Sequence, residues 1–131
     1  MTTTATATTA IAHELVRDYL DVVWNQGRTD LAAEYVAEGL IQHNPNLPDG
    51  LAALTALVES LRAQLPGLHF EPRRIAAEGD LVFVHSHFTP APGDRGLAVV
   101  DVFRIEDGLI AEHWDVNEAV PETTASGRPI V

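Results

Sequence analysis

The sequence contains no cysteine, so a disulfide framework, a thiolate metal site and a cysteine nucleophile are all excluded. It is also short of positive charge, because eight Lys and Arg residues stand against nineteen Asp and Glu residues, for a formal net charge of −11. A field of that sign repels phosphate backbones, so we predict no nucleic-acid partner. No apolar run approaches the roughly 20 residues that span a bilayer, so we expect no membrane partner either.

What is present indicates one globular domain. The 131 residues are 46% hydrophobic with a mean hydropathy of +0.02, which is enough apolar material for a core. Residues 1–10 are rich in Thr and Ala and lack the basic and apolar regions of a signal peptide. We expect them to form a flexible tail of a cytoplasmic protein. The expected domain covers residues 11–120, and the polar residues 121–131 form a second tail.

Three helices are predicted in the N-terminal half. Residues 11–26 carry apolar side chains close to every fourth position, which is typical of an amphipathic helix, and Gly27 is a suitable stop. A short second helix is expected over 31–36 and a third over 51–65. Between them, residues 40–44 resemble a brief strand that Pro45 ends.

The apolar period then changes from 3.6 to 2, which predicts strands over 68–77, 81–89, 97–105 and 109–117. Pro72 indicates an edge strand or a bulge in the first of these. Asp107-Gly108 is a strong hairpin signal between the last two. Helices followed by an antiparallel meander predict an α+β fold with the helices packed on one face of the sheet.

Polar residues on the last two strands indicate a pocket. Side chains alternate faces along a strand, so Asp101 shares a face with Phe103, and His113 shares one with Asp115 and Asn117. Burying such groups is costly unless they are paired, which favours a functional reason for their position. The opposite faces are apolar as well, and we expect a homodimer through this side of the sheet. The expected contacts are Val100, Val102, Trp114 and Val116.

The motifs identify a family resemblance over residues 11–118. It rests on Tyr19, on Gln42-His43-Asn44-Pro45, on Asp101-Val-Phe-Arg and on Glu112-His113-Trp114-Asp115-Val116. Together they resemble the SnoaL-like polyketide cyclases of the ketosteroid isomerase and nuclear transport factor superfamily. The resemblance implies a cone-shaped, curved antiparallel sheet packed on three helices around an apolar pocket. This scaffold hosts isomerases, dehydratases, cyclases, epoxide hydrolases and non-catalytic binding domains.

The resemblance also implies residue roles. Asp101 falls where ketosteroid isomerase holds its protonated oxyanion-hole acid, although those cyclases often carry histidine there. Tyr19 falls near the tyrosine that shares this hole. The isomerase's general base falls at Asn44, which cannot take a proton at neutral pH, and this argues against steroid isomerisation by that route. Asp115 matches the acid/base aspartate of the cyclases.

Further pocket positions and one metal alternative follow. The resemblance places Val84, Ser86 and Phe88 in the pocket and His85 and His87 on the opposite face. Alternation allows only one of His43 and Asn44 to face inward: analogy favours Asn44, and general-base chemistry favours His43. His85, His87, His113 and Asp115 could imitate a three-His, one-carboxylate metal site. We predict instead that the protein binds no metal and no cofactor.

Two functions remain open at this point. In the first, the protein is a cofactor-independent enzyme acting on a hydrophobic carbonyl compound, as an aldol cyclase or an isomerase. Asp115 abstracts a proton, Asp101 stabilises the enolate together with Tyr19, and His113 orients Asp115 or relays its proton. In the second, the domain binds a hydrophobic small molecule without turning it over.

Overall fold

The computed structural model describes residues 5–131, with side chains from residue 10 onward. Helix α1 spans Ala5–Asp18 and continues directly into a π-helical segment, Tyr19–Asn25. A 3-10 helix, Thr29–Glu34, precedes strand β1, Val36–Gln42, and helix α2, Leu51–Gln64. Four strands follow: β2 His69–Glu78, β3 Leu81–Thr89, β4 Leu97–Glu106 and β5 Leu109–Ala119. Within the described residues, no helix is both long and apolar enough to cross a membrane.

The predicted α+β class is confirmed, with one addition to the sheet. Its strand order is β1-β5-β4-β3-β2, and β2 to β5 form the expected antiparallel meander. Strand β1 instead runs parallel to β5, so the sheet is mixed. This parallel strand brings the end of β1 beside His113, since Gln42 is the register partner of that residue.

The meander matches the predicted strands to within two residues, because local turn signals define it. Asp107 and Gly108 both have positive φ, 52° and 77°, as a tight Asp-Gly hairpin turn requires. Strand β2 lies at the edge of the sheet, and its register shifts between Pro72 and Arg74. Both outcomes expected of Pro72 are therefore present.

The N-terminal elements differ more from the prediction. Helix α1 begins at Ala5 rather than at residue 11, because alanine favours helix without contributing to an apolar stripe. Residues 1–4 of the predicted tail lie outside the described residues. The predicted helix 31–36 is a 3-10 helix that ends at Glu34. The strand predicted over 40–44 starts at Val36 and ends at Gln42. Pairing with β5 extends it toward the N-terminus.

The core lies between the helices and one face of the sheet. Val16 and Val23 of the first helical unit and Val58 of α2 are fully buried, as are Val82 and Val84 of β3. Full burial of one such side chain contributes roughly 1.5–3 kcal/mol. The opposite face of the sheet is more open, with Phe83 39% and Val116 68% exposed.

Candidate active site

A cavity of about 260 Å³ lies between the helices and the inner face of the sheet. Its walls are mainly aliphatic and aromatic, including Leu20, Leu40, Leu54, Phe70, Phe88, Leu97, Val99 and Phe103. Eight polar residues also line it: Tyr19, Gln42, Asn44, Asn46, Asp101, His113, Asp115 and Asn117. An apolar cavity with a few convergent polar groups is the usual form of a small-molecule site.

Two carboxylates and an imidazole meet at one end of this cavity. Asp101 of β4 is the direct cross-strand partner of Asp115 on β5, and Phe103 is the partner of His113. His113 Nε2 lies 2.8 Å from Asp101 Oδ1. Its other nitrogen, Nδ1, lies 2.8 Å from the side-chain oxygen of Gln42. The predicted trio therefore forms one cluster, held in place by the pairing of β1, β5 and β4.

Asp101 is the most deeply buried carboxyl of the cluster. It is only 6% exposed, and its second oxygen, Oδ2, has no hydrogen-bond partner among the described residues. Burial raises the pKa of Asp101, while the hydrogen bond and charge of His113 oppose the shift and the charge of Asp115 adds to it. Burial disfavours the charged form of a carboxyl, so this site favours a protonated acid.

Asp115 is held by an amide. Asn44 Nδ2 lies 3.0 Å from each of the two carboxyl oxygens. The amide cannot be reversed, because Asn44 Oδ1 accepts the backbone N–H of Asn46 at 2.9 Å. Asn44 therefore presents its NH₂ group to Asp115, and both oxygens of Asp115 act as acceptors. Asn44, which the resemblance aligns with the base of ketosteroid isomerase, here orients a different carboxylate.

Tyr19 meets the cavity from the helical side, where the π-helical segment sets its position. Trp24 Nε1 donates to the Tyr19 hydroxyl oxygen at 3.0 Å. The two residues are five apart, a spacing that the i→i+5 winding of a π-helix favours. Because Trp24 supplies a hydrogen, the phenol keeps its own hydrogen for another acceptor. Burial raises the pKa of Tyr19, so the group remains a neutral donor.

His43 points away from the cavity. Its ring stacks on Trp114, with centroids 4.7 Å apart and an interplanar angle of 2°, and its Nε2 lies 2.6 Å from Glu112. Arg104 Nε donates to the same carboxylate at 2.8 Å. Of the two alternatives left open by the sequence, the inward residue is therefore Asn44.

The remaining predicted positions divide into two groups. Phe88, Phe103 and Asn117 line the cavity. Val84 and Ser86 are fully buried on β3 but do not reach the cavity wall. Val84 and Ser86 therefore support the cavity wall and do not form part of its lining.

The histidines of the metal alternative are not brought together. His85 Nδ1 lies 3.0 Å from Arg74 Nη1, and His87 Nε2 lies 2.7 Å from the carbonyl oxygen of Arg95. Asp101, His113 and Asp115 each place one atom within 4.8 Å of the others, a spacing that a metal ion can also use. In the structure, both ring nitrogens of His113 lie within hydrogen-bond distance of Asp101 and Gln42, and Asp115 accepts from Asn44. Asp101 Oδ2 keeps no partner among the described residues.

Gln42 is a polar group of the cluster that the sequence alone does not identify as a site residue. It appears in the sequence only as part of the family motif. Leu40, Gln42 and Asn44 follow one another at the two-residue period of a strand, and all three line the cavity. That period was a signal available in the sequence.

Comparison with known proteins supports the fold and the family. The model of the SnoaL-like domain matches residues 16–113. TsrD from Streptomyces laurentii is 25% identical with a TM-score of 0.70, covering 83% of this chain and 89% of its own. A candidate polyketide cyclase from Acidithiobacillus ferrooxidans is 22% identical with a TM-score of 0.71, over 82% and 88% of the two chains.

A candidate isomerase of the SnoaL-like family from Agrobacterium tumefaciens is 20% identical with a TM-score of 0.71, covering 83% of this chain and 98% of its own. The sequence matches none of the curated proteins. The family match spans most of the chain and includes Tyr19, Asn44, Asp101 and His113. The chain belongs to the SnoaL-like domain family.

Proposed function

We propose that this protein is a cofactor-independent acid/base enzyme that acts on a hydrophobic carbonyl compound, as an aldol cyclase or an isomerase. One observation carries the proposal. Asp115, an acceptor fixed by Asn44, adjoins the buried acid Asp101 at the end of an apolar cavity. Paired carboxyl groups in different environments are a recurring basis for acid/base chemistry.

The reaction would begin at the carbon next to the substrate carbonyl. Asp115 takes a proton from this carbon, and the electron pair of the broken C–H bond moves toward the carbonyl oxygen to form an enolate. The Tyr19 hydroxyl donates a hydrogen bond to that oxygen, and Asp101 does so when its Oδ2 carries a proton. Donors aimed at a developing negative charge in an apolar site stabilise it strongly.

Two products follow from the same enolate. If its carbon attacks a second carbonyl of the substrate, a C–C bond closes a ring and the new alkoxide takes the proton that Asp115 removed, which restores the base. If Asp115 instead returns its proton to another carbon of the conjugated system, a double bond shifts. The candidate cyclase and isomerase among the structural neighbours support this range of chemistry through their shared fold.

Hydrogen exchange in D₂O tests the shared first step without knowledge of the natural product. The probe is a hydrophobic cyclic ketone with a single carbonyl, whose α-hydrogens exchange slowly in neutral D₂O without a catalyst, and NMR follows their replacement. We expect the protein to accelerate exchange and Asp115→Asn to reduce the acceleration by about 10²–10⁴, the usual contribution of a positioned base. Circular dichroism should show that the fold is kept, since the amide is nearly isosteric.

Asp30→Asn is the matched control, because it removes an equal charge at an exposed position paired with Arg28. It should leave the exchange rate unchanged. Acceleration that survives Asp115→Asn undiminished would remove Asp115 as the base. If neither protein accelerates exchange but the ketone quenches Trp24 fluorescence in both, the domain binds without catalysis.

A further inference from the structure

The side-chain oxygen of Gln42 determines which nitrogen of His113 carries a hydrogen. This oxygen accepts the backbone N–H of Asn44 at 3.1 Å. A backbone N–H can only donate, so the amide oxygen and not the amide nitrogen must lie there. The same oxygen lies 2.8 Å from His113 Nδ1. Because the oxygen has no hydrogen to give, Nδ1 must supply one.

The other ring nitrogen is constrained in turn. With the hydrogen on Nδ1, a neutral imidazole presents a bare lone pair at Nε2. Nε2 lies 2.8 Å from Asp101 Oδ1, and two acceptors do not approach so closely without a hydrogen between them. One proton must therefore lie in this contact. It belongs either to Asp101 as a neutral acid or to His113 as an imidazolium.

The number of protons that His113 Nε2 and Asp101 hold together decides whether Asp101 Oδ2 donates or accepts a hydrogen bond in the cavity. When the pair shares one proton, that proton lies between Nε2 and Oδ1, and Oδ2 is an acceptor. When the pair holds two, Nε2–H donates to Oδ1, and the proton of Asp101 moves to Oδ2. Only then can Oδ2 donate to a ligand oxygen. Oδ2 is free for either role, since it is buried without a partner in the described part of the chain.

The opposite tautomer would behave differently. A neutral His113 with its hydrogen on Nε2 would donate to Oδ1 directly. A neutral Asp101 would then carry its proton on Oδ2 and act as a donor there without protonation of His113. The titratable groups beside the pair are Asp115 from β5 and the Tyr19 phenol from the π-helical segment. Phe103 stacks on the His113 ring at 5.0 Å and carries no charge.

We propose that Gln42 is a positioning residue that holds the hydrogen of neutral His113 on Nδ1, so that Asp101 Oδ2 becomes a donor only when His113 is protonated. Its catalytic meaning depends on the proposed function, in which Asp101 stabilises an enolate. The tautomer itself does not depend on that function. It can therefore be measured in the absence of any substrate.

NMR of the full chain with ¹⁵N-labelled histidine reads the tautomer directly. Long-range ¹H–¹⁵N correlations distinguish a protonated, pyrrole-type nitrogen from a bare, pyridine-type nitrogen, and His113→Gln identifies the signals of this ring. As the pH is raised, we expect Nε2 to shift to the pyridine type while Nδ1 remains of the pyrrole type. Loss of the hydrogen from Nδ1 first would overturn the proposal.

If His113 stays doubly protonated across the accessible pH range, Asp101→Asn removes the carboxylate that stabilises the imidazolium. The neutral ring can then be observed, with the same expected tautomer. A pyridine-type Nδ1 in this variant would overturn the proposal equally.

Two substitutions then test the role of Gln42 itself. Gln42→Leu removes the acceptor, so Asp101 becomes the best acceptor for the ring, and we expect the hydrogen of neutral His113 to move to Nε2. Gln42→Glu keeps an acceptor oxygen and should restore the Nδ1–H form. Gln64→Leu, a control on the exposed side of α2, should leave the spectrum of His113 unchanged.

An Nδ1–H signal that persists in Gln42→Leu would show that something other than Gln42 holds it, and would overturn the proposal. If circular dichroism shows that Gln42→Leu does not fold, the wild-type titration and the Gln42→Glu spectrum decide, and a pyridine-type Nδ1 in either refutes the assignment. If the histidine spectra are as expected but the protein does not accelerate hydrogen exchange of the ketone probe, the proposed enzyme activity is refuted and the tautomer assignment stands.

Discussion

Two side-chain amides orient the ionisable groups of this site, and the backbone orients the amides. The N–H of Asn46 fixes Asn44, which donates to Asp115. The N–H of Asn44 in turn fixes Gln42, which accepts from His113. The loop that follows β1 thus sets hydrogen positions in the cavity. Hydrogen bonds of this kind preorganise a site because they are formed before a ligand arrives.

The buried acid of the cluster predicts a pH effect on stability. Burial raises the folded-state pKa of Asp101, whereas an unfolded aspartate titrates near about 3.9. The folded protein therefore retains a proton that the unfolded chain releases. The stability contributed by this retained proton is fully present below about pH 4 and is lost as the pH rises through the raised folded pKa. The loss amounts to at most about 1.4 kcal/mol per pH unit.

Asp101→Asn removes this titration but keeps the shape of the protonated acid. We expect the free energy of unfolding of the variant, relative to that of wild type, to increase as the pH is raised from 4 to 8. Urea unfolding at a series of pH values measures the difference. Parallel curves for the two proteins over this range would contradict a raised pKa at position 101.

Alternation along strands was enough to predict four of the eight polar residues that line the cavity. It placed Asp101, His113, Asp115 and Asn117 on the same side because their strands are long and regular. It could not choose between His43 and Asn44, since the phase of a short strand is defined only by its neighbour in the sheet. The hydrogen bonds of Gln42 were equally out of reach, because they join residues that are distant in sequence.

At the scale of secondary structure, local signals explain which elements were predicted well. The β4–β5 hairpin has its own turn residues, and its bounds were close to those observed. Strand β1 depends on parallel pairing with β5, in which Gln42 meets His113. No local pattern encodes a contact between residues so far apart in the sequence. The π-helical winding of Tyr19–Asn25 was also not predicted, because its apolar spacing resembles that of an α-helix.

The loop between β3 and β4 contains a testable close approach. Gly96 has φ +64°, and a Cβ placed there would lie 1.9 Å from the carbonyl oxygen of Phe88. Gly93 in the same loop has φ +83° but has open space at its Cβ. Both positions disfavour a side chain through their backbone angles, which costs on the order of 1 kcal/mol, and only Gly96 adds a collision with backbone.

We therefore expect Gly96→Ala to lower the free energy of unfolding clearly more than Gly93→Ala, by about 1–3 kcal/mol beyond the control. Phe88 lines the cavity, so a shift at this contact would also disturb the pocket wall. Chemical denaturation of both variants provides the comparison. Equal losses in the two proteins would show that the loop relaxes around the added methyl group.

For the whole molecule, the fold class and the family were predictable because their evidence is spread along the chain. The family model and the motifs cover nearly the same residues. The substrate could not be predicted in this way, because its identity depends on the detailed shape of a cavity of about 260 Å³. Loops at its mouth, including Asn46 and Leu47, define that shape through contacts that no sequence pattern specifies.

The last prediction concerns the sheet face that the helices leave open. Val116 is 68% exposed and Phe83 39% exposed on this face, beside the half-buried Val100, Val102 and Trp114. Exposed apolar side chains that lie together commonly mark an interface. We propose that two copies of the chain pair here about a two-fold axis, which brings identical patches into contact.

Under that symmetry a single substitution introduces two like charges into one interface. We expect sedimentation equilibrium at micromolar concentration to give twice the chain mass for wild type and the single-chain mass for Val116→Asp. Circular dichroism should be unchanged, because Val116 is largely exposed within one chain. Ile11→Asp is the control: it alters an equally exposed apolar residue on α1, 65% exposed, and should leave the dimer intact. A wild-type protein that sediments as a monomer, or a dimer that survives Val116→Asp and Phe83→Asp together, would exclude pairing through this face.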